Sequence, residues 1–517
     1  MNLPYLYRVR LLRLSLFGIF FGCTQGEPTA TSDTSPPTLR NVVVIIGDDH
    51  ATSVLGAYGN ELIRTPNLDQ LASEGTTFLR AYANSPVCTP SRQSLITGRY
   101  PHAAGVTLLH TALSDEQVTI AEHLQQQGYR TGVVGKTHFN SKLSHGFDTL
   151  IGRPDYYAFK EGLPARTLPD SIRTRKMPWR PFQDPARIWL NADALPDTTY
   201  DAESEGTFLA NQAARFIQDN QDTSFLLWVG FFEPHSPFNF PIEYSGLYDP
   251  DDITLPETSD EDDRWVPEIF RDLSEEDQRG VVSAYYNSVT YLDKNVGVVL
   301  NALQEAGLDE NTLVIYLGDH GYLLGDHKRF EKHMMWEPAV RAPLIVRAGN
   351  QFASRQRTEA LTEFVDVVPT ITELLGAPAL PTAQGQSTVP VLENPDTTHR
   401  EYVFSEFLVD NKAMIRNQEW KYIFTSGKRD LGQGYATGFG PSGRMQRLYN
   451  QKNDPYEKTN VADRPENQEV LAKMQQAMLT TFKETHPKAD QLPEGLSVEE
   501  QLTWFCEPVE ENPNYGE

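Results

Sequence analysis

Cysteine is nearly absent, with three residues in 517, at positions 23, 88 and 506. So few thiols exclude a disulfide framework, and each one then needs its own explanation. Basic residues are also scarce: 45 Lys and Arg stand against 70 Asp and Glu, for a formal charge of −25. Such a balance repels nucleic acid and other anionic polymers and provides no basic arm or stripe, so no nucleic-acid partner is expected. Screening confines that repulsion to about 8 Å at physiological salt, which leaves room for a local cationic pocket that holds an anion. No apolar run is long enough to span a bilayer comfortably, no long low-complexity stretch argues for disorder, and no internal repeat is evident.

What is present has the composition of a folded globular protein, 39% hydrophobic and 10% aromatic. At this length one ordinary core does not suffice, and a large domain with a smaller companion is expected. The N-terminus reads as a targeting segment over residues 1–23: Arg8, Arg10 and Arg13 precede and enter an apolar run that ends at Phe20-Phe21-Gly22-Cys23. That ending resembles a bacterial lipobox, in which the Cys is lipidated, and a plain secretory signal is the other reading. Both imply a bacterial protein that is exported, as a periplasmic, secreted or cell-surface lipoprotein, with a membrane contact only through a lipid at Cys23. Residues 24–37, rich in Ser, Thr and Pro, read as a tether. Cys506 reads as a small buried apolar residue. Cys88 is the thiol left to explain.

"NVVVII" at 41–46 is a continuous apolar run of the kind that forms a strand buried on both faces, and it ends in Gly47-Asp48-Asp49-His50. A helix follows at "TPNLDQLASEG", with Thr65 as N-cap and Pro66 at the first helical position. Helix then strand recurs at "VTIAEHLQQQGYRTGVVGK", at "FLANQAARFIQDN" with "SFLLWVGF", and at 275–306 with "NTLVIYLGDHG"; "PLIVRA" adds another strand. This alternation predicts an α/β fold, a large mostly parallel sheet sandwiched by helices, over residues 38–394. From 395 to 517 the pattern changes to short strands and one amphipathic helix at 466–485, a smaller C-terminal α+β domain. The Pro-, Arg- and Asp-rich stretch 155–202 and the similar stretch 246–266 read as surface insertions that shape a cleft.

Polar clusters follow the strands or open helices: "GDDH" at 47–50, "CTPSR" at 88–92, "GKTH" at 135–138, "EPHSPF" at 233–238, "LGDHG" at 317–321 and "FEKH" at 330–333. Asp48 and Asp49 directed into one cleft repel each other unless a hard cation neutralises them, and Asp319 supplies a third carboxylate. Ca²⁺ or Mg²⁺ is the simplest answer. Lys136, His138, His235 and Lys332, brought to the same cleft, make a pocket for a tetrahedral oxyanion, with imidazoles able to move protons near neutral pH.

These clusters resemble, over nearly all of residues 38–480, the type I sulfatases of the alkaline phosphatase superfamily. The signature Cys-x-Pro-x-Arg followed by Thr-Gly-Arg reads here Cys88-Thr89-Pro90-Ser91-Arg92 to Thr97-Gly98-Arg99. The resemblance implies that a formylglycine-generating enzyme oxidises Cys88 to formylglycine. Its hydrated aldehyde attacks sulfur, and the second hydroxyl then expels sulfate, a step for which a serine lacks the geminal oxygen. By the same resemblance Asp48, Asp49, Asp319, His320 and the converted Cys88 hold the metal. Arg92 and Lys136 stabilise the hydrate, His138 accepts its proton, His235 protonates the leaving oxygen, and Lys332 clamps the sulfate; His333 is left to orient its neighbours. One departure stands out: many family members have Asn where this chain has His320, and imidazole is unusual on Ca²⁺. The Asp-His pair, "EPHSPFNFP" and "SVTYLDKNVG" resemble the iduronate-2-sulfatase-like branch.

The expected substrate is therefore a sulfated oligo- or polysaccharide, broken down outside the cell or in the periplasm; ulvan-type or uronate-containing polymers are candidates. The alternative is a phosphonate or phosphate ester hydrolase of the same superfamily. A surface-tethered carbohydrate-binding protein whose thiol is never converted is the non-enzymatic reading.

Overall fold

The computed structural model describes residues 39–173, 191–192, 194–271, 273–427 and 443–510. The expected targeting segment and tether, and part of the 155–202 stretch, lie outside the described residues. Fourteen strands are formed among the described residues: β1 (Asn41–Gly47), β2 (Thr76–Phe78), β3 (Ala81–Tyr82), β4 (Arg130–Gly135), β5 (Thr149–Ile151), β6 (Phe225–Gly230), β7 (Thr312–Gly318), β8 (Leu344–Ala348), β9 (Gln356–Thr358), β10 (Thr362–Glu363), β11 (Val403–Phe407), β12 (Lys412–Arg416), β13 (Trp420–Thr425) and β14 (Met445–Asn450).

Eight of them make one sheet in the order β5-β4-β6-β1-β7-β8-β2-β9. β1 lies at its centre, parallel to β6 on one side and to β7 on the other. β8 pairs antiparallel with both β7 and β2, so it alone runs against the rest. The sequence "PLIVRA" marks one more strand and carries no sign of this reversal.

The buried runs explain the layering. Val42, Val44 and Ile46 join Leu313, Ile315 and Leu317 in a core under the helices Cys88–Thr97, Ile120–Gln125 and Val367–Leu374. Val43 and Ile45, with Val314 and Tyr316, face the opposite core under the helices Pro66–Glu74, Glu205–Asp219 and Glu275–Glu305. Side chains alternate across a strand, so a run that is apolar at every position serves both layers. Each fully buried Val or Ile contributes about 1.5–3 kcal/mol, enough for this strand to anchor the sheet. The expected mostly parallel sheet between helices is what forms. One local reading differs: Thr65 precedes the Pro66–Glu74 helix but makes no cap bond. Its hydroxyl instead donates to Asp69 Oδ1 at 3.2 Å and accepts from the Gly56 amide at 3.0 Å.

β11 to β14 form an antiparallel four-stranded meander. One face, with Phe404, Ile415, Tyr422 and Phe424, packs on Met474, Met478 and Phe482 of the helix Gln468–Thr485 and on Leu502 and Phe505 of the helix Val498–Phe505. The other face, with Met414, Ile423 and Tyr449, packs against Trp336, Met335 and Tyr82. Cys506 is buried in the first of these layers, as its apolar surroundings in sequence implied. The described residues form one compact unit, and no helix among them is long and apolar enough to cross a membrane.

The sheet closes tightly beneath the polar clusters. Gly135 at the end of β4 has φ 94°, and a Cβ there would stand 2.0 Å from the Gly230 carbonyl oxygen at the end of β6. Only glycine fits both the left-handed backbone and the contact. Gly135→Ala is expected to cost on the order of 2–4 kcal/mol in urea unfolding. An unchanged midpoint would contradict this close apposition of β4 and β6.

Candidate active site

Three carboxylates with no solvent exposure, Asp48, Asp49 and Asp319, lie at the carboxyl ends of β1 and β7. These strands are adjacent, with Gly47 opposite Gly318, so leaving them in succession brings the three side chains together. Strand ends of this kind are where open α/β sheets place ligands. The Asp49 amide donates to Asp319 Oδ1 at 2.9 Å, which ties the two turns to each other. Asp49 takes φ 64° to do so, a conformation unfavourable for a non-glycine residue and typical of functional sites.

Cations answer the carboxylates one by one. Arg92 Nε donates to Asp319 Oδ2 at 2.8 Å, its Nη1 to the Lys136 carbonyl at 2.9 Å and its Nη2 to Asp48 Oδ1 at 3.4 Å. Lys136 Nζ is paired with Asp48 Oδ2. Lys332 Nζ lies 2.7 and 3.0 Å from the two oxygens of Asp49 and 3.1 Å from Cys88 Sγ. Burial alone would raise the Asp48 carboxyl, but Lys136, His235, Arg92 and Lys332 hold it well below the usual range. Asp49 is likewise drawn down to about 2, with Lys332 and His235 outweighing burial.

Cys88 opens a ten-residue helix, Cys88–Thr97, in which every residue is buried. The helix therefore does not float on the surface; it is a plug that holds Cys88 and Arg92, one turn apart, against the strand ends. Ser91 Oγ donates to the Asp319 carbonyl, and Thr89 Oγ1 lies 3.1 Å from His138 Nδ1. Gln93 Nε2 donates to the His138 carbonyl at 2.7 Å. The sulfur is 3.3 Å from His320 Nε2 and 3.7 Å from Asp49 Oδ1.

Of the residues read from sequence, eight are thus joined by direct contacts: Asp48, Asp49, Cys88, Arg92, Lys136, Asp319, His320 and Lys332. His138 is attached through Thr89. Burial, then Lys136 and Arg92, push its imidazole down to about 2, so the ring is neutral. His235 stands at the rim, 28% exposed, with Nε2 3.8 Å from Asp49 Oδ2; burial and Lys332 lower it. His333 is buried, its ring stacked on Phe407 with centroids 5.3 Å apart. His50, although adjacent to the pair of aspartates, turns to Val54 and Tyr316 and stays outside the cluster.

The donor set fits a divalent cation. Asp48, Asp49, Cys88 and His235 form one group, and Cys88, Asp319 and His320 another, with the ligand atoms of each within 4.8 Å of one another. His320 Nδ1 donates to the Gly321 carbonyl at 2.9 Å, which directs Nε2 towards Cys88 and Asp49. Such a backbone bond is how a metal-binding imidazole is usually oriented. Against burial, Asp319, Cys88 and Asp49 raise this imidazole to about 9. The shift reports the excess negative charge of the carboxylates at that point, which a bound cation would meet in place of a proton. Hard carboxylate oxygens favour Ca²⁺ or Mg²⁺.

Sequence reasoning missed Glu233. It is 8% exposed with Oε2 buried and without a hydrogen-bond partner, and burial raises it to about 8, with Glu205 adding to the shift. A single Glu between an aromatic pair and a proline carries no periodicity that could have marked it.

An exposed-rim cleft over buried carboxylates, ringed by cations and carrying a thiol at a helix start, defines an enzyme that handles a tetrahedral oxyanion. The chain belongs to the sulfatase family, whose model matches residues 40–377, and the C-terminal model of N-sulphoglucosamine sulphohydrolase matches residues 325–484. It is a sulfuric ester hydrolase. Among curated relatives it is similar to an ulvan-active sulfatase of Formosa agariphila, 28% identical over 83% of this chain and 78% of that protein. It is also 30% identical to the iduronate 2-sulfatase of Mus musculus, over 71% of this chain and 73% of that one. A solved phosphonate monoester hydrolase of Agrobacterium radiobacter, 22% identical, shares the fold with a TM-score of 0.72 over 88% of this chain and 98% of that one. The fold therefore serves both sulfur and phosphorus, and the family match favours sulfur. Membership in an enzyme family also sets aside the purely carbohydrate-binding reading.

Removing Arg92 would leave Asp319 and Asp48 buried without that guanidinium. Arg92→Ala is expected to cost roughly 3–5 kcal/mol in urea unfolding with chelator present. A loss below about 1 kcal/mol would show that the carboxylates do not depend on it.

Proposed function

We propose that this enzyme removes sulfate from a sulfated carbohydrate, of the ulvan or uronate-containing kind, after Cys88 has been converted to formylglycine by a separate maturation enzyme. The observation that carries this reading is the position of Cys88. Its sulfur lies within 3.1–3.3 Å of Lys332 Nζ and His320 Nε2, amid three carboxylates, where a thiol makes a poor ligand for a hard cation. An oxygen at that Cβ would complete the donor set. The aldehyde hydrate supplies a nucleophilic oxygen together with a route for its own release, and the divalent cation, Ca²⁺ in this reading, supplies Lewis acidity.

The chain's own residues do the rest. Asp48, Asp49, Asp319 and His320 would hold the cation. Arg92 and Lys136 fix the oxygens at position 88; Lys332, already the closest cation to that side chain, turns to the sulfate oxygens. His138 is neutral and takes the proton that elimination of sulfate releases. His235, at the open rim, is where the alcohol leaves, and it gives that oxygen a proton. The names of the two curated relatives support the substrate class. Export, as a periplasmic, secreted or Cys23-lipidated protein, belongs to the same reading, because such polymers are met outside the cytoplasm.

Mass analysis of the tryptic peptide "AYANSPVCTPSR" is expected to show an aldehyde in place of the thiol when the protein is made with a maturation enzyme. Cys88→Ala is expected to lower sulfate-ester turnover by at least roughly a thousandfold. An unmodified thiol in a fully active preparation would overturn the reading. Ca²⁺ at about 100 times its dissociation constant is expected to stabilise the fold by about 2.7 kcal/mol in thermal unfolding, and no shift with Ca²⁺ or Mg²⁺ would remove the metal from the account.

A further inference from the structure

A cavity of about 220 Å³ lies beside the catalytic cluster, lined by Arg153, Tyr156, Phe232, Glu233, His235 and Tyr291 among others. It is continuous with the rim, since His235 belongs to both. Phe232 links the two as well, with Lys136 Nζ 5.8 Å and the Arg153 guanidinium 3.8 Å from its ring centroid.

Two of its walls carry unused binding capacity. Arg153 is held flat by Phe232 and by Glu205, to whose oxygens its Nε donates at 2.9 and 3.3 Å. Its Nη groups make no hydrogen bond to any described residue, and the side chain is 50% exposed, so they face the cavity mouth and solvent. An oriented guanidinium with a free edge is suited to carboxylate or sulfate. Lys160, also on the wall and 5.7 Å from the Tyr156 ring, adds a second positive charge.

Glu233 is the other. Its buried Oε2 lacks a partner, a condition that costs free energy until something bonds it. The site is built around that carboxyl: a Cβ on Gly206 would stand 3.0 Å from Glu233 Oε1 and 2.9 Å from the Tyr291 hydroxyl, and the glycine leaves the space open. The Glu233 carbonyl meanwhile accepts from the Asp48 amide at 3.0 Å, so the residue is fixed to the catalytic turn itself.

We infer that this cavity is a sugar subsite selective for a ring that carries a second oxyanion besides the sulfate being removed. Arg153, aided by Lys160, takes the oxyanion, and the Glu233 carboxyl bonds a ring hydroxyl. The inference rests on the reading of the enzyme as a carbohydrate sulfatase, and it goes further in naming what the sugar must bear and which residues read it. A uronate carboxylate and a second sulfate present the same chemistry to a guanidinium, and the test separates them.

The test compares kcat/KM of the matured wild type, Arg153→Ala, Glu233→Gln and Glu233→Ala on five compounds: a sulfated uronate disaccharide, the same disaccharide with the carboxyl reduced to an alcohol, a disulfated hexosamine, its monosulfated counterpart, and p-nitrophenyl sulfate. Wild type is expected to prefer an oxyanion-bearing sugar over its reduced or monosulfated counterpart. Arg153→Ala is expected to lower kcat/KM on that sugar by at least roughly tenfold more than on the aryl sulfate, and to erase most of the preference. Loss on the uronate identifies a carboxylate, and loss on the disulfated sugar a second sulfate. Glu233→Gln, which keeps the shape and a donor, is expected to lose less than Glu233→Ala on either sugar. Equal losses on all five compounds, or a wild type indifferent to the second oxyanion, would overturn the assignment. Turnover of the aryl sulfate with no sulfated sugar accepted would instead remove the carbohydrate reading beneath it.

Discussion

The site depends on three carboxylates buried at the ends of neighbouring strands. Asp48, Asp49 and Asp319 are fully excluded from water, and like charges this close in a poorly polarisable interior repel strongly unless cations are built in beside them. Arg92, Lys136 and Lys332 meet that demand in part, and a cation held beside His320 would complete it. Removing any one partner strands a charge, which is why these residues act as a single unit. The wholly buried Cys88–Thr97 helix follows from the same demand, since it is the element that carries Arg92 to Asp319 and leaves Cys88 in the middle of the ring.

Rigidity and choice are divided between different parts of the fold. The three carboxylates stand at the ends of the central strands β1 and β7, and Cys88 and Arg92 on a packed helix, where two hydrophobic layers fix them. The cavity beside them is walled by the helix Arg153–Glu161, by residues 197–205 and by residues 232–241. A sheet-borne centre preserves the chemistry, and loops can vary the sugar without disturbing it.

Much of this was legible in the sequence because it depends on local signals. "NVVVII" and "NTLVIYLG" are apolar at every position, which marks strands buried on both faces, and the acidic turns after them mark the site. The resemblance carried by the motif from Cys88 to Arg99 pointed to Cys88 as the proposed nucleophile, and the fold sets it and Arg92 on one buried helix. Other features depend on distant partners that leave no periodic trace. The antiparallel direction of β8 is set by its neighbours β7 and β2; the Thr65 hydroxyl is drawn from capping by Asp69; and Glu233 acquires its meaning only from Gly206, Phe232 and Arg153, which fold around it. The helix Val498–Phe505, short and close to the C-terminus, was likewise hidden until its packing on Phe482 was visible.

The central claim is that the three carboxylates converge on one divalent cation. A crystal structure of the matured enzyme grown with Ca²⁺ tests it most directly. The account predicts a single ion with oxygens of Asp48, Asp49 and Asp319 at about 2.3–2.6 Å, and Lys332 displaced from Asp49. Lys332 still bonded to Asp49 in excess Ca²⁺, with no ion between the carboxylates, would contradict it.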